Sequence, residues 1–395
     1  MNLRTAKKHL QANILAGNAT ILISDPGVGK TDMMDGVCRW FLDYTRAGNP
    51  KARVGKSLFF MATQSPIGFT GLPWKGARSY IDERTGLQHD YTVTDPAIPQ
   101  WYMAQDLVTG EVLPANMFDK VVLVIEEWGQ GSAETKRAGA EVLRAGGTPP
   151  WYLPEGSPRI ALSNHDTRDG VTKEMGFLIN RANRVHIVGD AKIWHDDFAD
   201  HPYQWQGRTW QMLGVSKMWG LRNPAILFEP RPDKEGPWCT ARSFTAQDRY
   251  VQTVTELNDG EIPLNDPGFR ETCAGYTGMS AAQSFLSMLQ FALELPSYES
   301  IVKDPMGTPV PTKADLQMLL SYELAGRCER NDLANVLKFM DKRDADGKGM
   351  PKDVNITFVS TLLRRDYDLL NEPAMEAWVS RNANLVGVIG KLARN

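Results

Sequence analysis

Short apolar runs of strand length recur through the first half of the chain, and stretches of helical spacing separate them. The run at 19–24 (ATILIS) is followed by turn formers and then by Met33, Met34, Val37, Trp40 and Phe41 at helical spacing. A short helix at about 3–15 leads into it. A second run lies at 57–63 (SLFFMAT), and a third at 121–129 (VVLVIEEWG) holds five consecutive apolar residues. Such a run predicts a strand buried on both faces, as in a parallel sheet covered by helices. A helix is expected over 132–144, then strands at 159–165 (RIALSNH) and 184–188 (RVHIV). Strands alternating with helices predict an α/β domain with a five-stranded, mainly parallel sheet over residues 1–188. Residues 77–113 show little periodicity. Beyond 189 the pattern is helical and tryptophan-rich to about 270, and helices joined by Pro- and Gly-containing turns fill 271–395.

Composition narrows the class. The chain has 395 residues, 42% hydrophobic and 23% charged, enough for two or three packed domains and unlike a disordered chain. No apolar run approaches the ~18–20 residues of a membrane span, and the N-terminus has no apolar stretch before a small-residue cleavage site. Cys38, Cys239, Cys273 and Cys328 lie far apart without metal spacing, which suits reduced thiols in a cytoplasmic protein. A net charge of −3 provides no basic footprint for nucleic acid. DADGKGMPKD (344–353) has the wrong ligand set for a calcium loop and is read as a turn.

The candidate chemistry begins at SDPGVGKTD. Asp25, Pro26, Gly27, Val28 and Gly29 form a tight turn between strand and helix, and Lys30, Thr31 and Asp32 open the helix. Small residues let backbone N–H groups face a phosphate, and the helix start adds favourable partial charge. In such a P-loop, Lys30 reaches the β- and γ-phosphates and the Thr31 hydroxyl sits on Mg²⁺. The strict pattern begins with Gly, where this chain has Ser24.

An NTPase must also hold Mg²⁺, activate water and stabilise charge on the transferred phosphate. Glu126 and Glu127 close the most apolar run, so a strand delivers two carboxylates to the sheet edge that carries the P-loop. Glu126 stands where an Asp usually orders Mg²⁺, and Glu127 is the candidate to polarise the attacking water. Asn164 follows RIALS at the next strand end, where an amide orients water or touches the γ-phosphate. Arg181, Arg184 and Arg242 are candidates for charge neutralisation. Two Gly- and Pro-rich inserts, at 66–74 and 146–158, carry Phe69, Trp74, Trp151 and Tyr152, which either grip a partner or pack on their own hairpins.

In order and spacing, SDPGVGKT, VVLVIEE, RIALSN, LINR and ARSF resemble the Walker A, Walker B, sensor 1, arginine-finger and sensor 2 elements of AAA+ ATPases. FTGLPW, WYLPEGSP and SNHDTRDGV are similar to the corresponding stretches of the MoxR-like branch, particularly its phage and bacterial members. The resemblance covers about residues 13–250 and implies ATP and Mg²⁺ as cofactors. It implies a helical lid within 189–270 and assigns Arg181, with Arg184 as rival, to the finger and Arg242 to sensor 2. It further implies a homo-oligomeric ring, most often a hexamer, with the finger supplied in trans. A protein partner is expected, commonly one with a von Willebrand A domain, rather than nucleic acid or membrane. Two departures stand out: Ser24 for Gly, and Glu126 for Asp, whose extra methylene displaces the carboxylate. Slow hydrolysis, or a nucleotide-gated scaffold, follows as the alternative to a remodelling ATPase; a nucleic-acid motor is the third reading.

Overall fold

A computed structural model describes residues 1–164, 171, 182–232, 235–343 and 349–382. The chain divides into two compact units, Met1–Gly189 and Asp190–Asn395.

The first unit is α/β. Helix α1 (Leu3–Leu15) buries Ala6, Leu10 and Ile14, and Asn2 caps it by accepting from the Thr5 N–H. Strand β1 (Thr20–Ser24) leads through the loop into α2 (Lys30–Gly48). Then follow β2 (Val54–Phe60), β3 (Pro73–Ile81), β4 (Gln88–Pro96), β5 (Met103–Asp106), β6 (Val112–Pro114) and β7 (Lys120–Glu126). Helix α3 (Ala133–Ala145), capped by Ser132, precedes β8 (Gly147–Thr148), β9 (Trp151–Tyr152), β10 (Arg159–Asn164) and β11 (Asn183–His186).

The central sheet has seven strands in the order β11-β1-β10-β7-β2-β5-β6. Its first five are mutually parallel, as the sequence predicts. The count of five is too low because β5 and β6 extend the edge antiparallel. These strands are four and three residues long, too short to show a period. The apolar run of β7 is buried from Val121 to Ile125. Several boundaries differ from expectation. Strand β2 starts at Val54, three residues early, and ends at Phe60, with a 3-10 turn over Met61–Thr63. Strand β7 stops at Glu126, because Glu127 takes the left-handed conformation (φ 55°) and caps a 3-10 turn at Trp128–Gln130.

The larger departure lies in 77–113. Here β3 and β4 form an antiparallel hairpin with nine residue pairs, from Pro73↔Pro96 to Ile81↔Gln88. Almost every side chain is exposed, so no face alternates between apolar and polar. Trp74 (70% exposed) lies on it. Phe69, by contrast, is buried in a one-turn helix at Ile67–Thr70, its ring 4.6 Å from Phe59 and its carbonyl accepting from Trp101 Nε1 at 2.8 Å. In the second insert Trp151 packs beside Tyr102 at 5.2 Å, while Tyr152 is exposed.

The second unit is mainly helical, with a small hairpin of β12 (Tyr203–Trp205) and β13 (Arg208–Trp210). Its longer helices are α4 (Gly214–Arg222), α5 (Ala241–Leu257), α6 (Pro267–Thr277), α7 (Met279–Ala292), α8 (Ala314–Arg327), α9 (Leu333–Met340), α10 (Lys352–Arg365) and α11 (Pro373–Arg381). One apolar cluster, including Trp219, Phe244, Phe269 and Phe285, runs through residue 270 without a break. Of the expected 344–353 turn, residues 344–348 lie outside the described residues; Gly349 pairs with Arg343, and Lys352 and Asp353 open the next helix. All four cysteines are buried, and burial pushes the Cys38 thiol up to about 11 and those of Cys239, Cys273 and Cys328 to about 12.

Helix α4 is surrounded, and so is its lysine. Lys217 Nζ lies 3.2 Å from Asp200 Oδ1, both side chains essentially inaccessible. Arg364 approaches Asp196 (3.1 Å) and Asp200 (3.7 Å). Asp248 is buried and Glu323 half-buried near the same lysine; desolvation raises both carboxyls, Asp248 to about 6. Gln252 Nε2 donates to Asp248 at 2.7 Å and the Leu213 N–H donates at 3.3 Å.

This geometry gives a signed prediction. Folded Asp248 holds its proton to higher pH than an unfolded aspartate does, so its contribution to stability is lost as pH rises from about 4 through 6. The cost above pH 6 is roughly 3 kcal/mol. Asp248→Asn is therefore expected to raise the melting temperature at pH 8 and to flatten its fall between pH 4 and 6, as read by calorimetry across pH.

Candidate functional site

The site forms where β1, β10 and β7 end side by side. Strands β1 and β10 are parallel and in register, which sets Ser24 opposite Asn164. Strand β7 lies on the other side of β10 and ends at Glu126. Because β10 intervenes, its terminal amide stands between the P-loop and the two carboxylates.

The loop is shaped by two glycines. Gly27 (φ 76°) and Gly29 (φ 99°) hold left-handed conformations that side chains with a Cβ disfavour. Gly29 caps α2 without any side-chain hydrogen bond. Val28 is buried; Asp25, Pro26 and Gly27 are half-buried, and Asp32 is exposed on the first turn of α2.

Lys30 folds back under this loop. Its Nζ donates to Ser24 Oγ at 2.6 Å, to Asn164 Oδ1 at 3.1 Å, and to the Ser24 and Asp25 carbonyls at 3.3 Å each. Next to it, the exposed Thr31 hydroxyl donates to Glu126 Oε1 at 3.1 Å. Lys30, Thr31, Glu126 and Asn164 thus come together from three separate strand ends. Burial pushes the Glu126 carboxyl above its usual range; the Thr31 hydroxyl, Lys30 and Lys56 oppose that rise, and Glu127 adds to it. Glu127 itself is exposed, one residue past the strand.

Arg181 lies outside the described residues. Arg184 is half-buried at the start of β11, level with Ile21 and hence about 10 Å along the strand from Ser24. Arg242 is exposed in the first turn of α5, in the second unit.

The contact that sequence reasoning missed is Ser24 with Lys30. Its signal was present: a hydroxyl at the first motif position, six residues before the lysine, on the last residue of a strand.

Neither a scan against protein-family profiles nor a search of curated proteins finds a match. Among solved structures, the chain is similar to a candidate ATPase from Cytophaga hutchinsonii at 12% identity and a TM-score of 0.29. That alignment covers 73% of this chain and 88% of the other. It is also similar to NtrX from Brucella abortus at 11% identity and a TM-score of 0.34, covering 91% and 67% respectively. Likeness at this level carries no functional argument. No helix among the described residues is long and apolar enough to cross a membrane.

Proposed function

We propose that this chain is an ATPase of the AAA+ type, on the MoxR-like branch, that hydrolyses ATP to remodel or activate a protein partner. The observation that carries it is the convergence of Lys30, Thr31, Glu126 and Asn164 on one sheet edge beside a loop shaped by left-handed glycines. A helix start without a side-chain cap and an ammonium beneath it suit a polyphosphate.

The residues also fit Mg²⁺. Thr31 Oγ1 and Glu126 Oε1 are oxygen donors in mutual contact, and Mg²⁺ is held by one or two such groups together with phosphates and water. Among the described residues no group of three or more His, Cys, Asp or Glu forms a metal cage, so nucleotide and water would complete the shell. When bound, Mg²⁺ neutralises charge on the β- and γ-phosphates. In this reading Lys30 binds phosphate, Asn164 orients the γ-phosphate or the water, and Glu127, exposed beyond the strand, accepts the water's proton.

Arg184 lies about three strand residues from Ser24, and this supports a finger supplied by a neighbouring subunit in a ring, with Arg181 or Arg184 in that role and Arg242 as sensor 2. Exposed Trp74 and Tyr152 support inserts that contact a protein partner, such as one with a von Willebrand A domain. Glu126 in place of the usual Asp favours a second reading, a nucleotide switch with weak hydrolysis in the cytoplasm.

Sizing the protein with and without ATP and Mg²⁺ while following phosphate release tests both readings. Lys30→Ala is expected to weaken ATP binding by about 10- to 100-fold, the worth of a charged hydrogen bond to phosphate. Equal ATP affinity in parent and variant defeats the site assignment. Phosphate release from the parent no faster than from Lys30→Ala, with binding intact, selects the switch.

A further inference from the structure

We propose that Ser24 sets nucleotide affinity by holding the Lys30 ammonium inside the loop, so that Lys30 must give up the serine hydroxyl before it can meet a phosphate. The inference rests on the nucleotide-binding reading above and deepens it.

Ser24 is almost fully buried (2% exposed), and its hydroxyl donates to the Asp25 carbonyl at 2.7 Å. With its proton committed there, the oxygen is left to accept, and among the described residues it makes the shortest contact with Lys30, 2.6 Å. An ammonium has three donors. Among the described residues, Lys30 meets Ser24 Oγ, Asn164 Oδ1 and the paired carbonyls of residues 24 and 25. A glycine at position 24 would leave the carbonyls and the amide in place and remove only the hydroxyl. Ser24 therefore adds an acceptor that the strict P-loop pattern does not contain, and it competes directly with phosphate for the same proton. Its burial matters as well, because water cannot readily replace the hydroxyl once it is removed.

The test compares the full-length parent with Ser24→Ala and Ser24→Gly. Both substitutions remove the hydroxyl, and neither supplies a side-chain acceptor; thermal melting confirms that they fold. ATP is expected to bind each variant on the order of 10-fold more tightly than the parent. In nucleotide-free protein, Lys30 is expected to react several-fold faster with an amine-directed acylating reagent, read by peptide mass spectrometry against exposed Lys51. ATP binding unchanged or weakened in the variants overturns the proposal, as does an unchanged Lys30 labelling rate. If neither parent nor variants bind ATP, the nucleotide reading falls and the affinity role falls with it.

Discussion

Glu127→Gln is expected to lower ATP turnover by about 10²- to 10⁴-fold while leaving ATP binding in place, the range expected for loss of a general base. The geometry separates the two neighbouring glutamates. Glu126 ends β7, is half-buried and takes the Thr31 hydroxyl, so it stands beside the oxygen proposed to hold Mg²⁺. Glu127 follows in a left-handed conformation that turns the chain away from the strand, and its side chain is exposed. It can therefore meet water without giving up a bond to Thr31. Gln keeps the shape and loses the base, so single-turnover phosphate release should fall while equilibrium binding of labelled ATP holds. A variant that turns over at the parent rate removes Glu127 from the proposed chemistry.

The second large effect lies in the other unit. Lys217→Met is expected to destabilise it by about 3–5 kcal/mol, the cost of breaking a buried pair and leaving its partner charged. For a unit of this size that lowers the melting temperature by on the order of 10 °C. Asp200 would lose its 3.2 Å partner and keep only the more distant Arg364. Asp248 and Glu323, both already raised by desolvation, would lose the cation that opposes that rise. Their folded proton affinity would increase further, so the damage should be largest above pH 6 and smallest near pH 4. Calorimetry of parent and variant at pH 4.5 and 8 checks this; equal losses at the two values contradict it.

The parts of the fold that were legible in sequence are those where burial imposes a period. Strand β7 announces itself because both its faces are covered, and α2 because one face is. The P-loop was legible through its glycines, whose left-handed backbone few other residues adopt. The β3–β4 hairpin was not, because alternation reports a buried face and this hairpin has none. Phe69 looked like a loop aromatic among turn formers, yet it is core, since Trp101, 32 residues on, bonds its carbonyl while the Phe59 ring packs on it. In the candidate site, motif order named Lys30, Thr31, Glu126 and Asn164. It could not show that Ser24 lies within bonding distance of Lys30, which depends on the side-chain path under the loop. Lys217 and Asp200 carried no sign of burial, because charged residues are ordinarily solvated and only the packing around α4 encloses them.

The four enclosed thiols have a practical consequence for spectroscopy. Thiolate is the reactive form, and at neutral pH side chains held near 11 or 12 supply very little of it. A cysteine engineered at the tip of the β3–β4 hairpin, at Thr85 for example, would therefore take a maleimide dye selectively in the otherwise native background. Distance and anisotropy changes at that arm could then be followed as nucleotide is added, without first stripping out the resident sulfurs.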